Sequence, residues 1–147
     1  MSQPDLWTAV CQNQGLISNA VEETLRFDNS VIAWRRNSTQ PIEINGVSIP
    51  AGARVLILLG SANHDEAQFL EPEQFDLYRA NVSNHLAFGL GIHYCLGAPL
   101  ARLEATISLE QLTTRLPKMR LEPDQQIEFV PNLSFRGPKQ LLVAWES

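Results

Sequence analysis

The chain is poor in cysteine, in basic residues and in long apolar runs, and each shortage removes a class of protein. Two cysteines, Cys11 and Cys95, among 147 residues cannot build a disulfide framework. One reads as a spare and the other as a ligand, which fits a reducing cytoplasm. Only three histidines could join them around zinc, and no Cys-x-x-Cys spacing occurs. Eleven Lys and Arg against sixteen Asp and Glu leave a net charge of −5. That sign is opposite to the basic footprint a phosphate backbone demands, which excludes nucleic acid as a main partner. The longest apolar run, Val55 to Leu59, falls far short of the roughly 20 residues that span a bilayer, so no membrane partner is expected. Residues 1–7 carry neither the basic stretch nor the apolar core of a secretory leader.

What is present describes one globular unit over residues 1–147, with 44% hydrophobic residues and no repeat or linker. Pro4 to Asn13 reads as a short helix broken at Gly15. Leu16 to Phe27 follows as a second, with Leu16, Ala20, Glu23 and Phe27 on one face and Ser18 as its cap. The period then shortens: Val31 to Arg36 is strand-like, and Ile42–Ile44 and Val47–Ile49 alternate around Asn45-Gly46, a strong hairpin signal. Arg54 to Leu59, rich in Leu and β-branched residues, reads as a buried strand. A short helix and irregular loop are expected over Asn63 to Asp76. Ala98 to Leu116 is a long helix with a stripe of Ala98, Ala101, Ala105, Leu109, Leu112 and Leu116, ended by Pro117. Met119 to Trp145 predicts three or four short strands with a turn at Arg136-Gly137-Pro138.

The densest pattern is Phe88 to Gly97, F-G-L-G-I-H-Y-C-L-G. Gly89, Gly91 and Gly97 permit backbone angles closed to other residues and leave room for a flat group against the main chain. Cys95 falls at or just before a helix N-terminus, where free N–H groups favour an anionic sulfur. Outside such a pattern a lone cysteine is a small hydrophobe and a lone histidine an ordinary side chain. A Cys95–His93 nucleophile pair lacks an orienting third group and an oxyanion hole.

Phe88, Gly89, Gly91, His93, Cys95 and Gly97 occupy the six fixed positions of Phe-Gly-x-Gly-x-His-x-Cys-x-Gly and run into A-P-L-A-R-L-E. This resembles the haem-ligand loop of the cytochrome P-450 superfamily, in its soluble bacterial form. The resemblance implies that Cys95 is the axial ligand of haem b iron, that Phe88 packs beside the haem and that His93 bonds a propionate. It extends to Glu23-x-x-Arg26, which alone would be a surface ion pair worth under ~1 kcal/mol. In the family such a pair is a structural one, completed by an arginine in a Pro-x-x-Phe loop. Here that loop is Pro72-Glu73-Gln74-Phe75, Gln74 holds the arginine position and Arg79 is the nearby stand-in. Arg36 matches the family's propionate-binding arginine, with Arg35 beside it. Ser30 to Trp34 and the turn near Leu133 to Phe135 resemble stretches that reach the substrate pocket. His64 and Ser30 depart from the family's frequent arginine and proline.

The implied fold is α+β: a mostly helical C-terminal portion of a P-450 with small antiparallel sheets, in which the cysteine loop leads into a long helix. The implied activity is haem-thiolate monooxygenation, inserting one oxygen atom of O2 into a small organic substrate. Electrons would come from a ferredoxin or flavoprotein reductase, with Arg102 and Arg115 toward that partner. The family's long distal helix with its acid–Thr pair has no counterpart here, since residues 20–24 mimic it only inside the Glu23–Arg26 helix. The other haem face is therefore expected from a separate distal half. The alternative is a truncated, non-catalytic relative that serves as a haem-binding or interaction module, or has no function.

Overall fold

A computed structural model describes residues 4–146. Helix α1 (Pro4–Gln12) leads to Asn13, whose side chain accepts the Gly15 N–H at 3.0 Å and caps a single 3₁₀ turn, Gln14–Leu16. That turn runs without a break into α2 (Ile17–Phe27). Ser18 is therefore not a cap but lies inside the first turn: the continuous entry from Leu16 leaves nothing for its hydroxyl to terminate. Helix α4 (Ala98–Arg115) starts with proline in its first turn and stops before Pro117. Its expected stripe is the inward one, with Ala98 buried and Ala101, Ala105, Leu109, Leu112 and Leu116 half-buried. Val10, Leu16, Ile17, Ala20, Val21 and Leu77 form the core, with Ala105 and Leu109 packed against it. The core is thus built mainly where α1, α2 and α4 meet.

Three two-stranded antiparallel sheets lie outside this core. Strand β1 (Trp34–Asn37) pairs with β4 (Arg54–Ile57), placing Arg36 opposite Val55. Strands β2 (Ile42–Ile44) and β3 (Val47–Ile49) form the predicted hairpin. Asn45 and Gly46 have φ of 50° and 77°, the two left-handed residues that a tight hairpin matched to strand twist requires. The third sheet joins β5 (Arg120–Leu121) to β6 (Val143–Ala144).

The sheets depart from expectation in several places. β4 is not buried: Arg54, Leu56 and Ile57 are exposed and Val55 is half-buried, because a two-stranded ribbon offers one partner and no covering layer. The run's one buried residue, Leu59, belongs instead to the short helix α3 (Leu59–Ala62), which arrives earlier than predicted. β1 starts at Trp34, and Val31 makes only an isolated bridge to Phe135. Among the described residues the segment after Met119 holds two regular strands, not three or four, plus a bridge between Phe129 and Pro138. The turn there is at Asn132, whose side chain accepts the Ser134 and Phe135 N–H groups at 2.8 and 3.0 Å. Residues 136–138 are paired rather than turned, since Val130 donates to Gly137 O and Lys139 to Glu128 O. Pro138 tolerates the ladder because those bonds flank it and require no N–H of its own. No helix among the described residues is long and apolar enough to cross a membrane.

Candidate functional site

Glu23 and Arg26 are both fully buried, so they are not a surface pair. Arg26 grips the carboxylate through Nε and Nη2 at 2.8 and 2.9 Å. Arg79 reaches the same carboxylate through Nε at 3.2 Å to each oxygen and fills the third corner. Gln74 contributes its backbone: its carbonyl accepts from Arg26 at 3.1 Å and from Arg79 at 3.0 Å. Arg26 also donates to Asn63 O and Arg79 to Leu70 O, so the three charges tie loop 63–79 to α2. Burial alone pushes the Glu23 carboxyl up; bonds from Arg26, the Asp76 N–H and Arg79 more than reverse this and hold it below its ordinary value.

The cysteine loop closes on itself through the Cys95 N–H, which donates to Phe88 O at 3.0 Å. Gly89 and Gly91 have φ of 75° and 71°, the left-handed values that a side chain would strain. Gly97 differs from expectation, with an ordinary helical φ of −82°. A Cβ there would stand 3.7 Å from Cys95 Sγ, an ordinary contact, so neither its backbone angle nor crowding requires glycine. Cys95 is exposed, and its carbonyl accepts the N–H of Ala98, the first residue of α4.

The sulfur borders a largely apolar cavity of about 700 Å³ whose walls include Val31, Leu59, Leu86, Phe88, Gly89 and Ala101. Arg36 and His93 line it too, and both also line an adjoining cleft with Trp34, Arg35 and Asn132. The structure thus gathers Phe88, Gly89, His93, Cys95 and Arg36 around one space. Gly91 and Gly97 shape the loop without lining the cavity, while Glu23 and Arg26 stay in the scaffold below. Arg36 is steadied by a 2.9 Å bond from Nη1 to Arg35 O. Segments 30–34 and 133–135 adjoin each other, through Ile32 N to Ser134 O and an edge-on contact of Trp34 with Phe135. His64 lies away from the cavity, between Phe27 O and Glu73 at 3.0 Å each.

A second network, half-buried around the buried His85, has no counterpart in the sequence reading. Glu22 accepts Arg102 Nε and Nη2 at 2.6 and 2.9 Å and His85 Nε2 at 3.1 Å. The Arg102 side chain, still 31% exposed, is tied to α2 through Glu22, and that bond keeps it still more firmly protonated. Burial pushes the His85 imidazole below its ordinary value, with Glu22 opposing only in part. The sequence offered one signal, the arginine of A-R-L-E, but its carboxylate partner lies 80 positions earlier.

A single thiol at an apolar cavity suits a metal carried inside an organic ring better than a bare ion. Among the described residues no three His, Cys, Asp or Glu side chains cluster as ligands for a free metal. The apolar walls fit a ring, the thiol an axial bond, and Arg36 with His93 the ring's carboxylates. This is the donor set of a haem-thiolate protein. Residues 10–143 match the family Cytochrome P450, and the chain belongs to that family.

Over 99% of its length the chain is 40% identical to cytochrome P450 monooxygenase PikC of Streptomyces venezuelae, covering 35% of that protein. Over 84% of its length it is 42% identical to a steroid C26-monooxygenase of Mycobacterium tuberculosis, covering 33%. Among solved structures, cytochrome P450 CREJ superimposes with a TM-score of 0.94 at 48% identity, covering 98% of this chain and 36% of that one. The chain spans about a third of the length of the curated relatives it matches.

Proposed function

We propose that residues 1–147 form a single unit, the C-terminal, haem-ligating portion of a haem-thiolate monooxygenase that inserts one oxygen atom of O2 into a small organic substrate. The observation that carries this reading is the Cys95 sulfur on the wall of a cavity shared with Arg36 and His93. The monooxygenase names of the matched relatives support it.

In this reading Cys95 is the axial ligand of haem b. Phe88 lies beside the ligand, Gly89 gives the loop its left-handed turn, Gly97 leads from the ligand into α4, and Arg36 and His93 hold the propionates. The guanidinium of Arg36 is shaped to grip a carboxylate by two bonds. The chemistry supplied by haem held this way is dioxygen activation, with thiolate donation favouring O–O cleavage. The chain's own residues bind and orient the group, and Leu59, Leu86 and Phe88 offer it apolar walls. The Glu23–Arg26–Arg79 cluster keeps the loop's platform rigid.

The remaining two thirds of the family fold, on the same chain or a separate one, would cover the apolar residues on one face of α4. Those are Leu100, Leu103 and Ile107, with Leu96 just ahead of them fully exposed. That portion would also supply the other haem face and proton delivery. Electrons would come from a ferredoxin or flavoprotein reductase in the cytoplasm, docking on the thiolate side, where Arg115 is exposed. The test is turnover by the complete protein with a reductase system, read by mass spectrometry as product carrying one added oxygen from labelled O2. Loss of that product in Cys95→Ala is expected; unchanged turnover by Cys95→Ala would overturn the proposal.

A further inference from the structure

The family motif accounts for the glycines and the cysteine but not for what holds their loop still. Among the described residues no side chain hydrogen-bonds Cys95 Sγ, so the position of the sulfur depends on how the loop is fastened at its two ends. Both fastenings lead to one carboxylate. At the start of the loop, His85 Nδ1 accepts the Ala87 N–H at 3.1 Å. An imidazole whose Nδ1 accepts carries its proton on Nε2, and that N–H donates to Glu22 Oε2 at 3.1 Å. At the end of the loop, Arg102 Nη1 donates to the hydroxyl of Tyr94, the residue before Cys95, at 3.0 Å. The same guanidinium stands 4.6 Å from the centre of the Phe88 ring, and its remaining donors Nε and Nη2 are spent on Glu22 at 2.6 and 2.9 Å. Phe88 in turn supplies the carbonyl that accepts the Cys95 N–H. Glu22 lies on α2 next to Glu23, on the element that anchors the rest of the scaffold.

We infer that Glu22 is a positioning residue for the metal-binding sulfur: through His85 and Arg102 it clamps both ends of the 87–95 loop and so fixes where Cys95 presents its thiolate. The inference rests on the haem-ligand reading of Cys95 for its consequence, but the clamp itself is a property of the chain without haem. Glu22→Gln keeps the shape and one acceptor oxygen. It removes the charge and puts an N–H₂ donor against either His85 Nε2–H or Arg102. A second variant, Tyr94→Phe, removes one hydroxyl and nothing from the core.

Two measurements separate the possibilities. Hydrogen exchange on the haem-free chain should show the amides of residues 87–95 exchanging at least tenfold faster in Glu22→Gln and several-fold faster in Tyr94→Phe. The amides of Asp76 and Arg79, held by the Glu23 cluster, should be unchanged. In the haem-loaded protein, the ferrous carbon monoxide complex should shift several-fold from the red-shifted band of thiolate ligation toward the unshifted one. The reduction potential should move with it. Arg102→Lys keeps the charge but not the fork, and is expected to retain only part of the red-shifted band. Asn19→Ala, which cuts α2 from Leu77 O and Arg79 O instead, should lower stability and leave the band ratio alone. Unaltered exchange at 87–95 in both Glu22→Gln and Tyr94→Phe overturns the clamp. If Glu22→Gln does not fold, Tyr94→Phe alone decides. Altered exchange with an unaltered band and potential overturns its role at the sulfur. A wild-type protein that never shows the red-shifted band overturns the haem reading instead, while the exchange result stands.

Discussion

Replacing Glu23 by Gln tests whether the scaffold depends on a buried charge. Glu23 and Arg26 are 0% exposed and the Arg79 side chain is 5% exposed. The Glu23 carboxylate accepts five hydrogen bonds, four from the two guanidinium groups and one from the Asp76 N–H. Gln fills the same volume but carries no charge and turns one acceptor into a donor pointed at a cation. Two guanidinium groups are then left without a counter-charge away from water. Breaking a buried pair in this way costs about 3–5 kcal/mol, whereas losing a surface pair costs under ~1 kcal/mol. Set against a stability of roughly 5–15 kcal/mol for an ordinary domain, the larger figure removes much of the folding free energy. Urea unfolding followed by circular dichroism and tryptophan fluorescence, with linear extrapolation, measures it. A loss of less than ~1 kcal/mol would refute the argument and return the pair to the surface class.

Two further outcomes follow from the cavity and the buried histidine. Arg36→Gln should weaken haem binding about 10- to 100-fold, the equivalent of one charge-assisted bond of ~1.5–3 kcal/mol, in a titration read by Soret absorbance. Arg35→Gln, whose side chain is exposed and lines only the adjoining cleft, should change it no more than about threefold; a larger effect at Arg35 contradicts the assignment. Acid should destabilise the chain in two stages. Because burial holds His85 below its ordinary 6.5, the unfolded chain takes up that proton first, and stability falls as pH drops through the window below 6.5. Glu22 and Glu23, held below their ordinary 4.5, lose their contribution progressively as pH falls from 4.5 through their lower folded values. Urea midpoints across pH should show the first stage vanish in His85→Gln.

Features fixed by neighbours in the chain were legible in the sequence. Gly89, Gly91 and the Asn45-Gly46 turn state their geometry locally, and the Ala-Leu stripe of α4 is the face that packs, whereas Gly97 took an ordinary helical angle. Features fixed by distant segments were not. Glu23 and Arg26 could be seen to pair, but their burial comes from loop 63–79 closing over them, and the choice of Arg79 depends on that loop's path. The β-branched run of β4 looks like a core strand because composition does not say whether a covering layer exists. The last segment put its turn at Asn132 rather than at Gly137 because an Asn carbonyl supplies two turn bonds from its own side chain, whereas Gly137 and Pro138 were already paired. Glu22, His85 and Arg102 meet only in space, and no spacing rule connects them.

The central claim is that Cys95 is a haem ligand, and the carbon monoxide spectrum tests it most directly. The chain, loaded with haem, reduced and exposed to carbon monoxide, should give the red-shifted Soret band of a thiolate-ligated complex. Cys95→Ser should bind haem yet lack that band, and Cys11→Ser should keep it. A wild-type chain that holds haem without the red-shifted band, or a Cys95→Ser chain that retains it, contradicts the account.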